Sequence, residues 1–135
     1  MIKVIITKQG NYPVSAVKIR KIIKKTLLEN HFTSDATVSV AIVGKVKMED
    51  LVKKYYKNRL GVEPRNYMHP VLTFPGNETK GEFVNPPDKF INLGEIILSF
   101  KAIIDRSNKE DKLVDQVACE LAEHGTLHLL GIHHG

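Results

Sequence analysis

The stretch His124-Gly125-Thr126-Leu127-His128-Leu129-Leu130-Gly131-Ile132-His133-His134 carries four of the six histidines of a 135-residue chain. His124 and His128 are four apart, and on an α-helix that spacing sets both side chains on one face, roughly 5–6 Å apart at Cβ. One metal ion can bridge them. Gly131 follows three residues later, and glycine takes the left-handed conformation that ends a helix without strain, so the chain can turn back beyond it. His134 then completes three ligands, with His133 either an alternative ligand or a cation near the helix end. Three imidazoles leave one tetrahedral position open to water, the layout of a catalytic zinc. An i,i+4 histidine pair alone can equally be two packing or surface residues. The glycine and third histidine in register favour the metal.

Upstream, Leu113, Val117, Leu121, His124 and His128 step by 4, 4, 3 and 4 along one stripe, so a helix capped at Ser107-Asn108 is expected, its ligand face continuing its core face. The spacing H-x-x-x-H-x-x-G-x-x-H matches metzincin proteases except that Gly125 stands where those enzymes carry a general-base glutamate. Peptide hydrolysis would lack its base. Cys119, five residues before His124, points away from the ligand face and reads as a small buried hydrophobe.

The rest of the chain supplies a sheet. Lys3 to Thr7 and Thr37 to Val43 read as strands rich in β-branched residues, and Val14 to Asn30 between them has helical periodicity at Val17, Ile19, Ile22, Ile23, Thr26 and Leu27. Lys18, Lys21, Lys24 and Lys25 form the solvated side of that helix or else touch RNA phosphate, and His31 ends it without chemistry. A helix from about Lys47 runs into Lys53-Lys54-Tyr55-Tyr56-Lys57-Asn58-Arg59 before Gly61 and Pro64 break it. Interleaved cations and aromatics hold unpaired bases and phosphates, or else Tyr55 sits in the core and the lysines in water. A strand from His69 to Phe74 follows, its Pro70 demanding an edge or a strand start. His69 is either a surface residue or a substrate contact. A polar loop from Pro75 to Asp88 leads to a last, central strand from Phe90 to Ser99, in which Glu95 requires a partner: a structural hydrogen bond or a histidine ligand. Phe100 to Arg106 reads as a short helix.

The fold expected is therefore α/β (α+β): one domain over residues 1–135, with a mixed sheet of about four strands, helices around it, and the metal-binding helix near the C-terminus. A 42% hydrophobic composition supports one sizeable core. A lone cysteine suits a reducing compartment. The N-terminal apolar run is too short for a signal peptide, and no run of eighteen apolar residues spans a bilayer, so a cytoplasmic protein with no membrane partner is expected. There is no P-loop, G-x-G-x-x-G or nucleophile elbow, which argues against nucleotide binding and nucleophilic hydrolases. Residues 1 to 65 hold 14 Lys/Arg against 5 Asp/Glu, and residues 66 to 135 hold 6 against 10. The basic half suggests a polyanion partner, read beside a metal centre as RNA, or else only lysine-rich solvated helices.

The last stretch resembles the signature of the YbeY family of rRNA-maturation endoribonucleases, H-G-x-L-H-L-x-G-x-D-H, meeting seven of its eight fixed positions with His133 in place of the aspartate. Val71-Leu72-Thr73-Phe74-Pro75 is similar to the family's V-L-S-F-P strand and Leu93-Gly94-Glu95-Ile96-Ile97-Leu98-Ser99 to its L-G-D-I-x-I-S strand. The resemblance implies a zinc-dependent, single-strand-specific endoribonuclease that matures the 3′ end of 16S rRNA and serves in ribosome quality control. It implies one zinc on His124, His128 and His134 plus water, with ribosomal RNA and the small ribosomal subunit and its proteins as partners. Two departures matter: His69-Pro70 replaces a polar pair, and the family's mid-chain aromatic-arginine pair has no clean counterpart, leaving Arg59 or Arg65 to supply the guanidinium. Relatives continue into another helix, whereas this sequence stops one residue after His134, an arrangement expected to expose the site. A non-catalytic RNA-binding assembly factor with a degenerate metal site is the alternative. No motif specifies an oligomeric state.

Overall fold

The computed structural model describes residues 1–60, 70–76 and 91–132, with residues 56–60 described in their backbone only. In chain order the elements are β1 (Ile2–Lys8), α1 (Ala16–Glu29), β2 (Ala36–Val43), α2 (Lys45–Leu60), β3 (Val71–Pro75), β4 (Ile91–Ser99), α3 (Phe100–Glu110) and α4 (Val114–Leu129). They build a four-stranded sheet in the order β1-β2-β4-β3. β1, β2 and β4 run parallel, and β3 pairs antiparallel with β4. This is the expected mixed α+β sheet, with β4 central and β3 on an edge. Among the described residues no helix is long and apolar enough to cross a membrane.

Because strand side chains alternate between faces, the central strands sort their residues into two cores. Val38, Val40 and Ile42 of β2 and Ile96 and Leu98 of β4 pack with Ile19, Ile23 and Leu27 of α1 and Val117, Ala118 and Leu121 of α4. Ala41, Val43 and Ile97 face the other way, onto Met48 and Val52 of α2 and Leu72 of β3. So α1 and α4 share one face of the sheet, and α2 covers the other. Glu95 belongs to the α2 face by this alternation and is exposed. The expectation that it needs a buried partner is corrected: a strand carboxylate at the rim of that face is solvated, and the sheet separates it from the histidines on α4.

Helix α1 begins where the Ser15 hydroxyl accepts the Lys18 amide at 3.2 Å. Its start is tied to α4, since Asp115 accepts the Ser15 amide at 2.8 Å and lies 3.7 Å from the Lys18 ammonium. Val17, expected on the core stripe, is 62% exposed; the stripe is Ile19, Ile23, Thr26 and Leu27. α1 ends with His31 at φ 64°, its N–H bonded to the Leu28 carbonyl at 3.0 Å and the Phe32 N–H to Leu27 at 2.9 Å. That double closure is the Schellman pattern, with histidine where glycine is usual.

Helix α3 is longer than expected and takes in Ser107-Asn108, which therefore do not cap α4. Ser99 caps α3, accepting the Ala102 amide at 3.2 Å. Ser107 works at the helix's far end: its carbonyl accepts the Lys112 amide at 3.0 Å and its hydroxyl donates to the Lys112 carbonyl at 2.6 Å, while Asp111 turns the chain at φ 57°. The N-cap of α4 is Leu113, which makes no side-chain cap bond and is 74% exposed. The buried stripe of α4 therefore starts at Val117, because Leu113 precedes the helix.

Candidate metal and RNA site

The face of α4 that leaves the core carries the two histidines. Val117 and Leu121 are buried, and one turn further His124 and then His128 emerge half-buried with ring centroids 4.3 Å apart and planes at 49°. Gly125 and Thr126 turn inward. A Cβ built on Gly125 would lie 2.9 Å from the Ile96 Cγ2, so the glycine lets α4 approach the sheet closely. A side chain at this position would meet Ile96, which removes position 125 as a source of a general base. α4 ends as expected: Gly131 has φ 84°, its N–H bonds the His128 carbonyl at 2.9 Å, and the Ile132 N–H bonds Leu127 at 2.9 Å. The Schellman closure turns the chain back directly after His128.

Both histidines open into a cavity of about 540 Å³, walled by Pro70 and the β3 residues Val71 to Phe74, by Leu121 and Glu120 of α4, by Arg106 of α3 and by Tyr55 of α2. Tyr55 is 37% exposed and packs on Phe74, ring centroids 4.8 Å apart and planes tilted 56°. The two readings of Tyr55 thus merge, since it is neither a core residue nor a free surface ring. Lys53 and Lys54 are exposed, and the Lys54 ammonium is 5.5 Å from the Tyr55 ring centroid. Glu120 receives Lys112 at 3.1 Å on both carboxylate oxygens. Those bonds to Glu120, followed by the one to Glu110, hold the Lys112 ammonium above the ordinary lysine value. Arg106 pairs loosely with Glu110 at 3.9 Å.

Two imidazoles meeting at a cavity wall are chemically suited to a borderline-soft divalent cation and are two of the three donors that an open zinc site would need. Among the described residues no group of three or more His, Cys, Asp or Glu is placed to hold a metal. The third expected ligand, His134, and its alternative, His133, lie outside the described residues, as do His69 and Arg65. Arg59 lies in α2, with its side chain outside the description. Cys119 is half-buried and not fully buried as expected. Burial pushes its thiol up, and Asp115 adds to the effect. Its neighbours Asp115 and Lys18 place it toward α1, away from the cavity.

Two cavity residues escaped the sequence reading. Glu120 was detectable, since it precedes His124 by the same four residues that separate the histidines. Arg106 carried no local signal, because only the placement of α3 beside Pro70 brings it to the cavity.

The sequence model described as Endoribonuclease YbeY matches residues 5–135. The Dehalococcoides mccartyi (strain 195) protein named Endoribonuclease YbeY is 32% identical across 98% of this chain and 77% of its own length. The Thermodesulfovibrio yellowstonii protein of the same name is 29% identical across 96% of this chain and 82% of its own. In fold the chain is similar to the solution structure of TM1509 from Thermotoga maritima, with a TM-score of 0.54 and 23% identity over 100% of this chain and 75% of that one. With a family match spanning both the sheet and the histidine helix, this chain belongs to the YbeY family.

Proposed function

We propose that this chain is a zinc-dependent, single-strand-specific endoribonuclease. Its substrate is the 3′ end of 16S rRNA, and it works in rRNA maturation and ribosome quality control in the cytoplasm, on the small ribosomal subunit and its proteins. The general part of this reading, a hydrolase that cuts RNA internally, is supported by membership in the endoribonuclease YbeY family. The observation that supports the metal-dependent part is the convergence of His124 and His128 on one cavity wall beside Arg106 and Tyr55, and the rRNA 3′ end and the ribosomal role rest on the signature resemblance alone.

In this reading His124 and His128, joined by His134, would hold one zinc ion. A divalent ion held there would supply Lewis acidity, the activation that no carboxylate at position 125 provides. Arg106 binds a phosphate oxygen and steadies charge that develops on phosphorus, a task that Arg59 or Arg65 would share. Leu121 and Val71 line the cavity with apolar surface, which limits water and strengthens the field of every fixed charge there. Lys112 keeps Glu120 engaged, so the carboxylate repels an incoming phosphate less than an unpaired one would. The lysine-rich first half raises the local RNA concentration by long-range attraction.

The test is cleavage of an end-labelled ribosomal RNA 3′ segment by zinc-loaded protein beside His128→Ala prepared identically, with zinc content measured on both. The native chain is expected to carry about one zinc and to cut, with His128→Ala slower by about 100-fold or more. Equal cutting by both would refute the metal-dependent reading. Binding by both without cutting would select a non-catalytic ribosome-assembly factor.

A further inference from the structure

The core stripe of α2 runs Met48, Val52, Tyr55 in steps of four and three, and its exposure rises from 0% through 4% to 37%. The stripe therefore outlasts the sheet that it covers. Its last ring overhangs the edge strand β3, rests on Phe74, and enters the same cavity wall as His124 and His128. A ring recruited only for packing would lie beneath the helix like Met48. A half-exposed ring beside a ligand-sized cavity offers a π-face to what the cavity admits. A volume of about 540 Å³ is enough for a single nucleotide.

Resting on the ribonuclease reading above, we propose that Tyr55, seated on Phe74, is the stacking platform for one unpaired nucleobase adjoining the phosphodiester presented to His124 and His128. The tilted Phe74 ring fixes the tyrosine from one side, so little side-chain freedom is lost when a base lands on it. The Lys54 ammonium lies over the ring, 5.5 Å from its centroid, which marks a face open to a cation, and this flexible exposed side chain swings off the ring to pair with the flanking phosphate when a base takes its place. Arg106 is the Lys/Arg side chain among the described residues lining the cavity and takes the phosphate on the histidine side. The platform also supplies a physical reason for single-strand preference: a base stacks on protein only after leaving its own stack.

The experiment measures binding of short labelled single-stranded RNA by fluorescence anisotropy, with the unsubstituted protein as the parent chain and probe length checked after each titration so that only uncut RNA is scored. Each nucleotide is replaced in turn by an abasic residue. Tyr55→Leu, which keeps apolar bulk and loses the π-face, is expected to weaken binding by about 5- to 100-fold, while Tyr55→Phe stays within about twofold. One abasic position should cost as much as Tyr55→Leu and cost nothing more when combined with it. Full abasic sensitivity retained in Tyr55→Leu would overturn the platform and leave RNA binding intact. No RNA binding by the parent would instead bring down the ribonuclease reading and this inference with it. Should Tyr55→Leu unfold, 5-iodouridine cross-linking of the unsubstituted chain decides: adducts on Tyr55 or Phe74 support the platform, and adducts only elsewhere refute it.

Discussion

Gly125→Ala should destabilise the protein even though the position lies inside a helix. In an unconstrained helix interior the exchange stabilises by about 1 kcal/mol, because glycine loses more backbone freedom on folding. Here the new methyl would lie 2.9, 3.3 and 3.4 Å from the Cγ2, Cγ1 and Cδ1 of Ile96. Ile96 is 0% exposed in the central strand, and its β-branch leaves few rotamers to retreat into. Overpacking of this kind costs about 1–3 kcal/mol, so the net effect is a loss of about 0–2 kcal/mol. The prediction is sharpened by Ile96→Ala, which removes all three opposing atoms. In that background Gly125→Ala should recover its full helical gain of about 1 kcal/mol, reversing its sign. Urea unfolding followed by far-UV circular dichroism on the four chains of the cycle measures this directly. If Gly125→Ala stabilises the native and Ile96→Ala chains equally, Gly125 is not there to let α4 approach the sheet.

His31→Gly should stabilise the fold by about 0.5–1 kcal/mol, since the left-handed φ of 64° strains a histidine, though glycine's greater unfolded freedom returns part of the gain. An unchanged or lower urea midpoint would count against that strain. For Cys119 the thiol is raised above its reference value of 9.0. Alkylation by iodoacetamide near pH 8 should therefore run slower than that of an unstructured cysteine, and equal rates would contradict the burial argument. The linkage sign follows: the stability that this neutral thiol contributes is fully present below pH 9.0 and is lost as pH rises through its folded value.

Periodicity alone was enough for much of this protein. The strands β1 and β2 with α1 between them, the edge or start position of the strand at Pro70, the helix carrying His124 and His128, and the left-handed turn at Gly131 all follow from local chemistry, whereas the parallel pairing of β1 with β2 was set by the tertiary structure. Steric limits on φ, alternation of side chains and the 3.6-residue repeat act within a few residues and so leave a readable trace. What failed was capping and burial. Ser107-Asn108 look like an N-cap, yet α3 gains more by continuing through them to Asp111, and a helix end is a contest that a short window cannot judge. Glu95 sits in an apolar run, but which face of a strand is solvated depends on what covers it. Only the tertiary structure assembled the cavity, because Tyr55, Phe74, Arg106, Glu120 and the two histidines come from four elements with no sequence proximity across them. The donor pair was written in a spacing of four residues. Its surroundings were set by where β3 forms the sheet edge and how closely Gly125 lets α4 lie against Ile96.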